Sequence, residues 1–350
     1  MGSSPSTEPR RNGPHMTTMT DVARAAGVSV MTVSNVLSGR RRVSPETRER
    51  VLRAVAELDY QVNLTARNLR YGRSGSIALL VPQFDHAYFG ALGARVARAI
   101  ADLGRQVVIE QTTASPEGEL SALSLARLHM YDGAIFSVVG LREAELDRIR
   151  DSIPIVLLGE REVPARFDHV MMGNVEGARL AVRHMLDRGS RRVLIAGGQR
   201  GQDALGMSRA RTLGWLRAHD EVGIQADESL ILHMTQLDIA HARRAVAAAV
   251  AADPGIDGVF GVTDDVAIGA LAGLRDVGRQ VPEDVQVVGF DNLEIGAHIY
   301  PELTSVDPSS DWIVDNAVRL LQARMGDDPP SEAEHLVSPV RLVERGSTRD

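Results

Sequence analysis

From Gly75 onward the chain alternates short, unbroken apolar runs with longer stretches of helical spacing. "SIALLVP" (76–82) reads as a buried strand. "YFGALGARVARAIADLG" (88–104) repeats its apolar positions every three or four residues and stops at a glycine, so it reads as a helix. "RQVVIEQT", "DGAIFSVV" and "IPIVLLG" follow as strands, with helical stretches between them. After Asn174 the pattern starts again. A helix over 176–188 leads to "RRVLIAGG", another to "SLILHM", another to "DGVFGVT", and then comes "DVQVVGFD". Apolar runs without alternation fit sheets covered on both faces. Two successive series of this kind predict an α/β core of two parallel subdomains.

The segment before Gly75 has a different rhythm. "TDVARAAGVSVMTVSNVLS" (20–38) holds two amphipathic runs of less than three turns, split by a glycine. Thr20 is the expected N-cap, with Asp21 in the first turn where the helix dipole favours an acid. Val22, Ala23 and Ala26 share a face, and Gly27 ends the helix. Ser29 caps a second helix from about Val30 to Leu37. Val33, Val36 and Leu37 face the first helix, and Val30, Met31, Thr32, Ser34 and Asn35 are left facing outward. A third helix starts at Ser44, with Pro45 at its first position and a stripe of Val51, Leu52, Val55 and Leu58. Helices this short are marginal alone, so they must share a core. Helix, glycine-containing turn and helix is the helix-turn-helix pattern, whose second helix can enter a major groove. A small three-helix interaction module would read the same way. Asn63 can cap a further short helix, Leu64 to Leu69, that carries Arg67 and Arg70. Gly72, Ser74, Gly75 and Ser76 then give linker character.

Charge separates the two regions. The 350 residues carry a net charge of −7, and all 39 basic residues are arginine. Residues 16–73 are +5 and the first 15 are +1, which leaves −13 on the rest. A basic head on an acidic body suits a head that sits on a polyanion, although a solvated charged face would look alike. There is no cysteine and no lysine, which removes disulfides, thiolate metal sites, P-loops and Schiff bases. The ten histidines lack zinc-site spacing, "GMSRA" is not a nucleophile elbow, and "IAGGQRGQDALG" does not match GxGxxG. No enzyme activity, cofactor or metal is expected. No apolar run is long enough for a membrane span, and residues 1–15 lack the apolar centre of a signal peptide. Those residues read as a disordered tail or a cloning remnant.

"TDVARAAGVSVMTVSNVLSG", "VSPETRERVLRAVAELDYQVN" and "ARNLR", in that order, resemble the LacI/GalR family of bacterial repressors. The resemblance covers nearly the whole chain from Met16, and Val62 stands where family members usually have proline. It implies a helix-turn-helix domain over 16–62, a hinge helix and linker over 63–74, and an effector-binding and dimerisation core over 75–350. The core would resemble periplasmic sugar-binding proteins, with subdomains of about 75–173 plus 306–332 and 174–305 plus 333–347. The chain would cross between them near 172–174, 303–308 and 332–336, and "VSPVRLVERGS" would be the last strand. The hinge helix would fold on the operator, with Leu69 wedged into the minor groove; an ordinary core or dimer contact is the alternative. In the head, Asn35 can pair with adenine, and Val30 and Met31 can meet a thymine methyl. Thr20, Ser29, Thr32 and Ser34 suit phosphates, and Asn63, Arg67 and Arg70 complete the DNA-binding set.

Ligands of open α/β sheets sit beyond the carboxyl ends of strands. There "VPQFDHAYF" puts Phe84, Asp85, Tyr88 and Phe89, "GMSRARTLGW" puts Arg211, "GVTDD" puts Asp264 and "VGFDN" puts Asp291. Arginine and aspartate suit a polyhydroxylated ligand, and aromatic rings suit its apolar face. The resemblance points to Tyr88, Phe89, Arg211, Thr263 or Asp264, and Asp291 as cleft residues. Each has a plainer reading: Arg211 as a surface residue, Asp264 as a helix cap, Tyr88 and Phe89 as core, Asp291 as a turn residue. Glu160 joins the candidates, although many relatives carry aspartate near it. Gly173 before Asn174 and Gln236 also depart from the family pattern, which leaves the effector open. The expected protein is a cytoplasmic, nucleoid-associated homodimeric repressor. It would bind a palindromic double-stranded operator and answer to a small effector, most readily a sugar or sugar derivative. After "SPVRLVERGS" too few residues remain for a tetramerising heptad helix. The rival is a receptor or transport protein with the same core.

Overall fold

The computed structural model describes residues 17–38, 43–60, 74–113, 115–149, 152–201 and 206–350. The chain forms two compact units, 1–74 and 75–350. In the first, helices α1 (Met19–Ala26), α2 (Val30–Ser38) and α3 (Pro45–Glu57) enclose one small core. Val22, Ala23, Ala26, Val33, Val36, Val51, Ala54 and Tyr60 are its buried members. Gly27 closes α1 at φ 64°, and the Val28 N–H reaches back to the Ala23 carbonyl. That left-handed conformation is why glycine ends the helix.

Three expectations for the head are corrected. The cap of α1 is Thr18, not Thr20. The Asp21 N–H donates to Thr18 Oγ1 at 3.3 Å, and the Thr18 N–H donates to Asp21 Oδ2 at 3.0 Å. This reciprocal box needs an acid three residues after the cap; Thr20 would have Ala23 there. Leu52 is exposed, because Val51 and Ala54 fill the inner face of α3. Ser34 does not face outward: it is buried at 7% exposure beside Val33. The expected caps of the other helices are present. The Thr32 N–H donates to Ser29 Oγ at 3.1 Å, and the Thr47 N–H donates to Ser44 Oγ at 3.3 Å.

The second unit holds two six-stranded sheets. The strands are β1 (Ser76–Val81), β2 (Gln106–Gln111), β3 (Gly133–Ser137), β4 (Ile155–Leu158), β5 (Asp168–Met171), β6 (Val193–Ala196), β7 (Ile231–Leu232), β8 (Gly258–Gly261), β9 (Gln286–Phe290), β10 (Thr304–Asp307), β11 (His335–Val337) and β12 (Arg341–Val343). The longer helices are α4 (Ala87–Ala101), α5 (Asn174–Asp187), α6 (Met207–Glu221), α7 (Ile239–Ala252), α8 (Asp264–Asp276) and α9 (Ser310–Arg324). The first sheet runs β11-β5-β4-β3-β1-β2, all parallel; the second runs β12-β10-β9-β8-β6-β7, with β12 alone antiparallel.

The unbroken apolar run of β1 follows from burial on both faces. Ile77, Leu79 and Val81 pack with Leu92 and Val96 of α4 and Ile313 and Ala317 of α9. Ala78 and Leu80 pack with Phe136, Leu128 and Leu146 on the other side. In the second lobe, α7 and α8 approach closely through Gly269 and Gly273. A Cβ on Gly273 would lie 2.4 Å from the Arg243 carbonyl oxygen.

Several boundaries shift. Helix 88–104 is α4, which stops at Ala101; Gly104 turns at φ 68° three residues later. Strand β5 was not foreseen. The chain leaves the first lobe between β5 and α5. It returns after β10, since Val306 pairs with Phe290 and Asp307 with Arg341 in the second sheet. The last crossing falls between β11 and β12, not at 332–336. The reason is Asp168: Arg324 Nε donates to it at 2.7 Å and the Glu334 N–H at 2.8 Å, which holds β11 against β5 in the first sheet.

Candidate functional site

In the head, α2 sorts its residues by helical phase. Val33 and Val36 point into the core, so Met31 and Asn35, four residues apart, share the opposite side. Met31 is 65% exposed, a large apolar side chain held in water. Asn35 and Thr32 are half-buried, and Val30 packs its flank on the core. Ser29 and Thr20 are exposed at the starts of α2 and α1. The outer side of α2 therefore carries Ser29, Met31, Thr32 and Asn35, but not Ser34, and Thr20 is exposed on α1. Asn63, Arg67, Leu69 and Arg70 lie outside the described residues.

In the core, the candidates converge where β1, β4, β8 and β9 end. Arg211 on α6 is at the centre and 2% exposed. Its Nε donates to Asn174 Oδ1 at 2.7 Å, its Nη1 donates to the Val262 carbonyl, and its Nη2 lies 3.6 Å from Asp291 Oδ1. The guanidinium also stacks 3.5 Å over the Phe290 ring. Burial pulls this guanidinium's pKa down; Asp291 and Glu160 push it back.

Asp291 sits in a turn at φ 116°, in a region that ordinary side chains rarely adopt. Its N–H donates to the Val306 carbonyl at 2.9 Å, and Arg345 holds the next residue through Asn292 Oδ1 at 2.7 Å. The surrounding bonds thus impose the strain. Burial pushes Asp291 up to about 8, against the pull of Arg211. Its Oδ2 is buried and has no hydrogen-bond donor. Glu160 accepts the Met172 N–H at 3.1 Å, and burial raises its pKa too. Tyr88 and Phe89 are half-buried in an edge contact with centroids 5.2 Å apart, and the Tyr88 hydroxyl lies in the fields of Asp291 and Glu160.

Three candidates fall elsewhere. Phe84 and Asp85 are exposed ahead of α4; Asp85 acts only as a charge near His86. Asp264 is buried but committed: Ser305 Oγ donates to its Oδ1 at 2.6 Å and the Leu293 N–H donates to its Oδ2 at 2.7 Å. Both of its oxygens are thus engaged in bracing the turn that presents Asp291. Thr263, not Asp264, caps α8, accepting the Val266 N–H at 3.2 Å.

Three residues that sequence reasoning missed belong to the cluster. Asn174 begins α5 and anchors Arg211. Asp265, next to Asp264, accepts the Ala87 N–H of the opposite lobe and faces His86. His86 stands at the N-cap of α4 without a capping side-chain bond. The doubled aspartate of "GVTDD" was the available signal for Asp265.

Comparison with known proteins agrees with both halves. The family model "Bacterial regulatory proteins, lacI family" matches residues 18–63, and "Periplasmic binding protein-like domain" matches 182–348. The ribose operon repressor of Halalkalibacterium halodurans is 32% identical over 95% of this chain and 98% of its own. The structure of a transcriptional regulator CelR–cellobiose complex is 29% identical, with TM-score 0.69 over 95% of this chain and 99% of that one. The lac repressor dimer bound to operator and the anti-inducer ONPF shares the fold, with TM-score 0.78 at 23% identity over 95% and 99% of the two chains.

Proposed function

The chain belongs to the LacI family of bacterial regulatory proteins, and on that premise we propose a cytoplasmic, homodimeric repressor whose operator affinity is set by a small hydroxylated effector in the core. It is a sequence-specific DNA-binding transcriptional regulator with an effector-binding core. Its relatives are transcriptional regulators, and we read the cleft as a binding site without catalysis. The names of the ribose operon repressor and the cellobiose complex support a sugar-like effector. The observation that carries this reading is Arg211 clamped between Asn174 and Asp291, with one Asp291 oxygen buried and unpaired. A guanidinium locked this firmly positions its neighbours, and an orphaned acceptor needs a donor such as a ligand hydroxyl.

In the head, Met31 and Asn35 would reach base edges while Ser29, Thr32 and Thr20 hold phosphates. Leu69, outside the described residues, would wedge the central step. Ser34 is left out because it is buried. For a second copy, apolar residues stand exposed on the core: Val108 and Ile109 on β2, and Ile295 and Tyr300 after β9. Among the described residues no helix is long and apolar enough to cross a membrane.

The test is retention of fragments of the source genome by the purified protein, followed by gel shifts with and without a panel of sugars. A palindromic site released by one panel member is expected. Failure to retain any specific fragment would refute the regulator mechanism proposed here.

A further inference from the structure

The acids of the cleft outnumber its cations. Glu160, Asp265 and Asp291 come from three different elements, and each is pushed up by burial before any other cause. Among the described residues, Arg211 is the cation that acts on Glu160 and Asp291. Its Nε and Nη1 are spent on Asn174 and Val262. Asp265 accepts the Ala87 N–H and faces the His86 ring, whose pKa burial lowers. One guanidinium therefore stands against three carboxylates. Buried carboxylates short of counter-charge are costly, and they take up protons in its place.

Two atoms point independently to a ligand. Asp291 Oδ2 is buried and accepts nothing, on a side chain 4% exposed. Asn174 Nδ2 is buried and donates no hydrogen bond of full geometry, although it lies beside Glu160, and the residue is 2% exposed. The missing occupant must give a hydrogen bond to one and accept one from the other. Tyr88 and Phe89 supply an apolar wall for the rest of it.

We propose that the effector is a hydroxylated amine, such as an amino sugar, whose ammonium group sits among Asp291, Glu160 and Asp265 and whose hydroxyl accepts from Asn174. This rests on the effector-controlled reading above. An ammonium supplies the counter-charge that Arg211 cannot, and its bonds to the carboxylates are charge-assisted. Such bonds are about twice as strong as neutral ones, so an amine binds about tenfold tighter than the matched alcohol. A phosphorylated or carboxylated sugar brings the wrong sign.

Titration calorimetry and thermal shift on the full chain would compare matched pairs: glucosamine with glucose, galactosamine with galactose, and mannosamine with mannose, with glucose 6-phosphate as the anionic probe. At least one amine is expected to bind about tenfold tighter than its neutral counterpart, with the phosphate silent. In Glu160→Gln, and separately in Asp265→Asn, that amine-to-neutral ratio is expected to shrink. A panel in which no member binds, in which neutral members match their amines, or in which the phosphate binds best overturns the proposal. Retention of operator DNA by the ligand-free wild-type protein is measured alongside. If DNA is bound specifically and the amine preference is absent, only the effector class is wrong. If neither is seen, the regulator mechanism fails with it.

Discussion

Arg211→Ala tests the centre of the cleft. The substitution removes the donor from Asn174 Oδ1 and from the Val262 carbonyl, the stacking on Phe290, and the partner of Asp291. Two buried acceptors left unpaired cost about 1–3 kcal/mol each. Breaking a buried ion pair from one side typically costs about 3–5 kcal/mol, because a charge is stranded. Here the stranded group has a way out: burial already pushes Asp291 up to about 8, and loss of the guanidinium raises it further, so it can take a proton instead of holding a charge. The buried guanidinium's own desolvation is also relieved. The net loss is therefore near the lower end, about 3 kcal/mol. For a core of this size that lowers Tm by roughly 6–10 °C. Scanning calorimetry of the full chain at neutral pH measures it. Arg211→Ala combined with Asp291→Asn is expected to lose less than the two single variants together, since the stranded group is gone. Additive losses, or a Tm within a degree of wild type for Arg211→Ala, would refute the clamp. Effector response is expected to vanish in Arg211→Ala while operator binding persists.

Other expectations follow from the same geometry. Asp264 at about 7 and Asp291 at about 8 hold protons in the folded state that the unfolded chain, titrating near 3.8, has already lost; their contribution to stability therefore falls as pH rises through that window. His169 and His184, depressed by burial to about 4 from 6.5, act with the opposite sign below 6.5, where the unfolded chain takes up protons first. Tm of the ligand-free protein should thus decline from about pH 6.5 to 8.5, and Asp291→Asn should flatten that decline; a slope unchanged by the variant would reject the assignment. Thr18→Ala should cost the head about 1 kcal/mol, read as faster amide exchange in α1, whereas Thr20→Ala should be nearly neutral; equal effects would disprove the capping box. Asn35→Ala should relax the preference at one base pair per half-site by roughly 1–3 kcal/mol in a randomised-operator selection, and an unchanged preference would remove Asn35 from base reading.

What the sequence disclosed follows the range of the forces involved. Gly27, Ser29, Ser44 and Pro45 were legible because caps and turns act within four residues. The two parallel sheets were legible because burial on both faces writes unbroken apolar runs. β5 and β11 were not. β5 has only four residues, Asp168 to Met171, two of them polar; Asp168 is buried because Arg324 and Glu334, more than 150 residues away, satisfy it, and His169 because it pairs with the Gly159 carbonyl. Ser34 was assigned outward by its polarity, although a small hydroxyl residue fits a tight helix contact equally well.

The hardest case is the pair in "GVTDD". Asp264 and Asp265 are chemically identical and adjacent, yet one braces a turn and the other faces across the cleft. They differ by about 100° of rotation about the axis of α8. That rotation decides whether a carboxylate meets Ser305 and the Leu293 N–H or the Ala87 N–H and His86. The first set lies some 30 to 40 residues downstream and the second almost 180 residues upstream, so no local pattern encodes the choice. The axis of α8 is set by Gly269 and Gly273, which let it sink against α7. A side chain at either glycine would collide with the α7 backbone and push α8 away, so the position from which both aspartates project depends on two residues one and two turns further along the same helix.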